Sequence, residues 1–168
     1  MSIGPKIRFC KNCIMSNTKP DLQFEANGLC TGCTAYNNRD KINWKEREKK
    51  FFSIIEAYKK NKNSKYDCII PVSGGKDSTY QVLKMLELGM NPLCVNASTD
   101  ELSEIGRHNL DNIKKLGVDL FEVCTDKSLR RKINKFTLQT VGDIAWAEHL
   151  TIFTIPVKVS IWMKIPLI

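Results

Sequence analysis

Two groups of residues have types and spacings that could do chemistry. The first is the segment 73–79, which follows the apolar run 68–72 and opens an amphipathic helical pattern. Adjacent glycines let backbone N–H groups turn toward an anion, and a helix that starts there adds the positive end of its dipole. The segment therefore predicts a phosphate-binding turn for a nucleotide. Its candidate contacts are Ser73, Gly74, Gly75, Lys76, Asp77, Ser78 and Thr79.

This turn does not match a Walker A loop. That loop needs Gly-x-x-x-x-Gly-Lys followed by Ser or Thr, whereas here Asp77 follows Lys76 and Ile70 stands where the first glycine belongs. The P-loop GTPase and kinase classes are therefore excluded. A plain turn that joins a strand to a helix, with incidental polar residues, remains the structural alternative.

The second group is a set of four cysteines in two Cys-x-x-Cys pairs with sixteen residues between the pairs: Cys10, Cys13, Cys30 and Cys33. This is the spacing of a four-thiolate zinc site, and four thiolates leave no open position for catalysis, so the predicted metal is structural. Gly28 and Gly32 are predicted to allow the turns of two metal-binding knuckles that form a small ribbon. An iron–sulfur cluster and a pair of disulfides remain as alternatives.

Composition favours a cytoplasmic globular protein, since 42% of the 168 residues are hydrophobic and 26% are charged. Residues 1–8 contain no apolar stretch of a secretory signal, and the apolar tail 152–168 is interrupted by lysines and prolines, so no membrane insertion is expected.

The three remaining cysteines, Cys68, Cys94 and Cys124, are predicted to be buried. The net charge is +8, but the basic run 59–65 is interpreted as a solvated helix end, which makes a nucleic-acid partner unfavoured.

Helical and strand patterns alternate along the rest of the chain. The predicted elements are a linker helix over 42–62, a helix from about Ser78 to Gly89, a strand over 92–96, a helix from Ser103 to Gly117, a strand over 119–124, a helix over 127–139, a helix from about Thr151, and the start of a fourth strand at 165–168. This order predicts an α/β fold with a parallel sheet covered on both faces and a ligand at the carboxyl ends of the strands. Asn96 and Thr99 lie at such an end and are candidate nucleotide contacts.

Together with the cysteine quartet, the segments 44–48, 66–81, 109–119 and 142–153 resemble the N-acetyl sugar amidotransferases. The resemblance covers nearly the whole chain, although Ala147 stands where the family pattern has proline. It implies a zinc-binding segment over 1–38, a linker helix over 39–64, and the N-terminal part of a PP-loop ATP pyrophosphatase domain over 65–168. Members of this family continue further, so we expect the chain to be a truncated form.

The resemblance also implies an activity and its cofactors. Family members act in lipopolysaccharide O-antigen or in pseudaminic and legionaminic acid synthesis, and they convert an acetamido group on a nucleotide sugar into an acetamidino group. ATP and Mg²⁺ are the implied cofactors, with Lys76 adding charge and Asp77 holding the metal, and glutaminase and cyclase-like subunits are the implied source of ammonia. A tRNA-thiolating PP-loop enzyme and an inactive fragment that binds only zinc or nucleotide remain open. His149 is interpreted as a helix cap or structural residue, and His108 is assigned no role.

Overall fold

The computed structural model describes residues 6–59, 64–99 and 101–168, which form a mixed α/β structure. The chain divides into two compact units, Met1–Phe51 and Phe52–Ile168. The described elements are α1 (Thr31–Asn37), α2 (Trp44–Lys59), β1 (Cys68–Pro71), α3 (Lys76–Glu87), β2 (Pro92–Ser98), α4 (Glu104–Lys114), β3 (Asp119–Cys124), α5 (Lys127–Val141) and α6 (Trp146–Met163), with a short 3-10 helix at Arg39–Lys41.

The first unit has very little apolar interior. Two isolated antiparallel bridges, Phe9 with Ser16 and Phe24 with Cys30, precede α1. Among the described residues of this unit, Cys10, Cys30 and Cys33 form a buried cluster, against which Leu22, Phe24 and Leu29 pack. So small a cluster supplies little hydrophobic free energy, and a unit of this size usually needs a disulfide or a metal.

The second unit is built on a parallel sheet in the order β1-β2-β3. Ile70 of β1 lies beside Cys94 of β2, and Cys94 lies beside Leu120 of β3. β1 and β2 are almost wholly buried, as strands of a parallel sheet covered on both faces are. The predicted parallel sheet is therefore confirmed.

Alternate side chains of β1 and β2 enter two separate cores. Cys68, Ile70, Val72 and Cys94 pack with residues of α2, α3 and α4 on one face. The opposite face packs against Val159 of α6 and against Ile165; its strand residues are Ile69, Leu93 and Val95. Helices cover both faces, as the sequence predicts.

Capping residues set the ends of several helices close to the positions that the sequence predicts. The Ser103 side chain accepts a hydrogen bond from the Gly106 N–H at the start of α4, and Asp126 does the same for Leu129 at the start of α5. Gly89 and Gly117 follow α3 and α4 with φ values of +71° and +82°, which glycine adopts without steric strain. α3 begins at Lys76, two residues earlier than predicted, because the glycine turn leads directly into it.

The carboxyl-terminal prediction is partly wrong. α6 begins at Trp146 rather than near Thr151, so His149 lies inside the helix and not at its cap. Residues 165–168 do not form a fourth strand, although the Ile69 N–H donates a hydrogen bond to the Leu167 carbonyl at 2.8 Å. A single hydrogen bond beside β1 places this segment at the sheet without making it a strand.

Three further expectations can be compared with the structure. Cys68 and Cys94 are buried as predicted, but Cys124 is exposed because it ends β3, whose outer edge pairs with no other described strand. α2 ends at Lys59, and residues 60–63, which contain the predicted end of that helix and most of the basic run, lie outside the described residues. Among the helices that the structure describes, we find none with the length and apolar character needed to span a membrane.

Candidate phosphate-binding site and metal centre

The predicted phosphate-binding segment forms a tight turn between β1 and α3. Gly74 has a φ of +81°, a left-handed conformation that costs any other residue free energy. A Cβ on Gly74 would lie 3.0 Å from the Cβ of Asn109 and 3.2 Å from the backbone nitrogen of Leu110. Two separate reasons therefore require glycine at position 74: the left-handed backbone conformation, and the close packing of the turn against α4.

Hydroxyl groups hold this turn in shape. The Ser78 hydroxyl donates to the Gly75 carbonyl at 3.0 Å and accepts from the Ser73 N–H at 3.4 Å. The Thr79 hydroxyl donates to the same carbonyl at 3.0 Å, and the Ser73 hydroxyl accepts from the Gly75 N–H at 3.4 Å. Ser73 and Ser78 thus help to fix the geometry of the turn.

The amino terminus of α3 is open to a ligand. Gly75 is the N-cap residue, and no side chain makes the capping hydrogen bond. The first N–H groups of a helix have no partner within the helix, so these groups and the helix dipole favour an anion at this point. Lys76 and Asp77 form an ion pair at 2.6 Å with side chains 88% and 86% exposed, so both side chains are accessible to a ligand.

A cavity of about 450 Å³ begins at this turn, at the carboxyl ends of β1 and β2. Ser73 and Asn96 contribute polar atoms to its lining, while Phe153 and Pro156 of α6 contribute apolar ones. This volume is within the range of small-molecule sites, which combine apolar walls with a few polar groups.

Asn96 is the most informative residue of this cavity. Its side chain is only 5% exposed, and its Nδ2 donates to the Val72 carbonyl at 2.7 Å. Its Oδ1 is buried, and no residue that the structure describes donates a hydrogen bond to it. An unsatisfied buried acceptor costs about 1–3 kcal/mol, which a ligand that donates a hydrogen bond would recover. Thr99, the other predicted contact, lies one residue beyond β2 and is half-buried.

A second, charged cavity of about 690 Å³ lies at the carboxyl ends of β2 and β3. Cys124 lines it together with His108 and Arg107 of α4. The Arg107 guanidinium contacts both carboxylate oxygens of Glu122 at 2.9 and 2.8 Å, which fixes its position. The sequence assigned no role to His108 and expected Cys124 to be buried, so it did not predict this cavity.

Two contributions to the first site were also missed. The α6 residues Phe153 and Pro156 line the cavity, but the sequence assigns neither of them a contact with a ligand. Asn109 contacts the glycine turn from a helix thirty-five positions away. Periodicity within one helix could not reveal that contact, because it depends on how α4 packs against the turn.

The four cysteines of the first unit converge on one point. Their Sγ atoms all lie within 4.8 Å of one another, with 3.8 Å between Cys10 and Cys33 and 3.6 Å between Cys13 and Cys30. A regular tetrahedron with Zn–S bonds of about 2.3 Å has S–S edges of about 3.8 Å, so the cluster could bind a metal ion such as zinc. These separations are far longer than the S–S bond of a disulfide, about 2.05 Å.

Hydrogen-bond donors surround these sulfur atoms. The Asn12 Nδ2 donates to Cys33 Sγ at 3.3 Å, the Cys30 N–H to Cys10 Sγ at 3.3 Å, and the Cys33 N–H to Cys30 Sγ at 3.4 Å. Backbone N–H groups, first that of Cys13 and then that of Asn12, lower the pKa of Cys10 to about 6. Such donors stabilise the thiolate form, which is the form that binds a metal.

The two cysteine pairs lie on different kinds of backbone. Cys10 and Cys13 lie on a turn in which Ile14 has a φ of +62° and the Cys10 N–H donates to the Met15 carbonyl. The second pair lies at the start of α1, where Cys30 is the N-cap residue. Of the two glycines predicted to allow the turns, Gly28 has a φ of +84°, whereas Gly32 lies within α1 and its conformational freedom is not used.

Comparison with known proteins adds one relative and no family. No protein-family model matches the chain. The uncharacterized protein MJ1599 of Methanocaldococcus jannaschii is 31% identical over 109 residues, which cover 63% of this chain and 38% of that protein. The chain therefore spans well under half of the length of this relative.

Proposed function

We propose that the second unit binds ATP through the turn at residues 73–79, as the first part of a PP-loop ATP pyrophosphatase domain. Two unsatisfied features support this proposal, one at the glycine turn and one in the cavity that Ser73 lines. One is the uncapped amino terminus of α3, and the other is the buried, unpartnered Oδ1 of Asn96. The first suits phosphate oxygens, and the second suits a hydrogen-bond donor of a nucleoside.

The reaction we propose is the amidation of an N-acetyl sugar carried on a nucleotide. The acetamido oxygen attacks the α-phosphorus of ATP, so an O–P bond forms and the bond to pyrophosphate breaks. Ammonia then adds to the activated carbon, AMP leaves with the former acetamido oxygen, and loss of a proton gives the acetamidino group. Adenylation is needed because an amide oxygen is a poor leaving group.

The residues of the turn have distinct roles in this proposal. The N–H groups of Gly74 and of residues 76–78 would stabilise the negative charge that develops on pyrophosphate. Removing one preorganised donor from such a site typically costs about 2.7–4 kcal/mol in the barrier. Lys76 would neutralise charge on the phosphates. Asp77 would hold Mg²⁺, for which an exposed carboxylate is a suitable ligand.

Calorimetric titration with Mg-ATP tests the proposal on the zinc-loaded chain of 168 residues. We expect Lys76→Ala to weaken binding strongly and Lys84→Ala to leave it unchanged. Lys84 is the matched control because it lies on the same helix but pairs with Glu87 at 3.1 Å, away from the turn. Equal affinities for the two variants, or no heat of binding by the folded chain, would contradict an ATP site at this turn.

A second function, tRNA thiolation, is favoured by one observation. Thiolation requires an accessible cysteine, and Cys124, which the sequence predicts to be buried, is exposed beside the charged cavity. Release of AMP from Mg-ATP separates the two functions. Stimulation by a nucleotide sugar with ammonium supports the amidotransferase, whereas stimulation by tRNA that is lost in Cys124→Ser supports thiolation.

We also propose that the cysteine cluster holds a structural Zn²⁺ ion. All four positions of a tetrahedral site are filled by thiolates, and its binding would supply folding free energy to the first unit. A colourless protein with about one zinc ion per chain, whose zinc content does not change on addition of reductant, would support this proposal. A brown chain that contains iron and acid-labile sulfide would contradict it.

A further inference from the structure

Three arginine side chains of the first unit lie over aromatic rings. Arg39 lies over the ring of Tyr36 at 5.5 Å, and Arg47 lies over the ring of Trp44 at 5.6 Å. A third pair, Arg8 over Phe24 at 6.0 Å, lies in the same unit. Such contacts occur about once per 70–80 residues, so three within residues 6–51 is a clear excess.

Two of these rings face one cavity. Tyr36, Arg39 and Trp44 line a cleft of about 590 Å³ between the end of α1 and the start of α2, together with Asn37 and Asp40. Tyr36 is 67% exposed and Trp44 is 56% exposed. Burial of either ring away from water would be favourable. Two accessible rings beside one cleft provide flat surfaces on which planar groups can stack.

The charge of the unit complements a polyanion. Residues 1–51 contain ten Lys and Arg against five Asp and Glu, which is more than half of the net charge of the chain. Neither ring lies in a continuous run of lysines in the sequence. The structure brings the rings and the cations together across a helix, a 3-10 turn and the next helix.

We propose that this cleft, which we call the Tyr36–Trp44 cleft, binds single-stranded nucleic acid. Bases would stack on Tyr36 and Trp44, while the guanidinium groups of Arg39 and Arg47 contact phosphates and extend the stacks. The side-chain amide of Asn37 and the carboxylate of Asp40 offer hydrogen-bond partners to base edges. An acidic protein segment would complement the positive charge, but its carboxylates have no planar bases to stack on the two exposed rings. The rings therefore favour a nucleic acid over an acidic protein segment.

Fluorescence anisotropy on the full, zinc-loaded chain tests this surface with four labelled probes. They are oligouridylate and oligothymidylate of twelve nucleotides, an abasic oligodeoxyribonucleotide of the same length, and polyglutamate. We expect the two probes with bases to bind at least tenfold more tightly than the abasic strand or polyglutamate at equal salt. Similar affinity for RNA and DNA indicates that the backbone sugar is not read, and preference for RNA indicates contacts with the 2′-hydroxyl. Equal binding of all four probes, or of none, overturns the proposal.

Variants assign the binding to the rings. We expect Tyr36→Leu and Trp44→Leu each to weaken binding of oligouridylate about 5- to 150-fold, the range for one lost base stack. Leucine retains apolar bulk but has no π face, and unchanged zinc content shows that the unit remains folded. Tyr80→Leu and Trp162→Leu, whose rings are 66% and 67% exposed in the second unit, are the matched controls. Loss of binding in these controls, or none in the two cleft variants, overturns the assignment.

Discussion

Replacing Gly74 with alanine tests the packing of the glycine turn against α4. The native φ of +81° is left-handed, which costs an alanine about 1–2 kcal/mol. The new Cβ would also lie 3.0 Å from Asn109 Cβ and 3.2 Å from the Leu110 nitrogen, which belongs to a helix backbone and moves little. Overpacking of this kind adds about 1–3 kcal/mol. We therefore expect the second unit to lose about 2–5 kcal/mol of unfolding free energy.

Gly117→Ala is the matched control. Gly117 has almost the same φ, +82°, but nothing lies within 4 Å of the position that its Cβ would occupy. This variant should lose only the conformational part, about 1–2 kcal/mol. The gain from a less flexible unfolded chain is the same in both variants, so it cancels in the comparison. The difference between the two variants isolates the contact with α4.

Pulsed alkylation across a urea series measures this difference in the second unit alone. The Cys94 side chain is 0% exposed in its core, so its labelling, resolved by mass spectrometry, reports unfolding of that unit and not of the first. A Gly74→Ala variant no less stable than Gly117→Ala would refute the contact between the turn and α4. Mg-ATP titration of the same variant then shows whether the shape of the turn matters for binding.

Three further outcomes follow from the chemistry of single residues. Cys30→Ser should abolish stoichiometric zinc binding, measured by metal analysis, while Cys94 stays protected from alkylation. The Tyr66 hydroxyl, 2.6 Å from Asp119, and then Lys65 hold the pKa of the Asp119 carboxyl below its usual value. The stability that this lowered pKa contributes is present above the unfolded-state pKa of about 3.9 and is lost as the pH falls through the folded-state pKa. Tyr66→Phe should therefore raise the pH midpoint of acid unfolding, which circular dichroism measures. At pH 8, Cys124 should react with iodoacetamide within minutes while Cys94, whose pKa burial raises to about 12, stays unmodified. Modification of Cys94 at the same rate as Cys124 would contradict the described core.

Local signals in the sequence predict most of the fold. Ser103 and Gly117 mark both ends of α4 because capping depends on residues within one turn of the helix end. The four cysteines predict their own convergence through their spacing. The same reasoning failed for the start of α6, because residues 146–163 are apolar on all sides and show no periodicity from which a boundary could be located.

Long-range placement decided what the sequence could not predict. Cys124 lies in an apolar run, and its exposure follows from the place of β3 at the edge of the described sheet. Asn96 was identified as a polar residue at a strand end, but its unpartnered Oδ1 depends on the position of the Val72 carbonyl in the neighbouring strand. Both facts require the packing of several elements, which no window of sequence contains.

The two units are stabilised by different physical interactions, and this difference makes them separable in experiment. The second unit buries aliphatic side chains on both faces of its sheet, and this burial supplies hydrophobic free energy to the fold. The buried cluster of the first unit consists of Cys10, Cys30 and Cys33, which are also the groups that a metal would bind. If the cluster holds a metal as proposed, a chelator should remove a cross-link of the first unit and leave the core around Cys94 closed. Loss of nucleic-acid binding on chelation, with retention of ATP binding, would place the two activities on separate units.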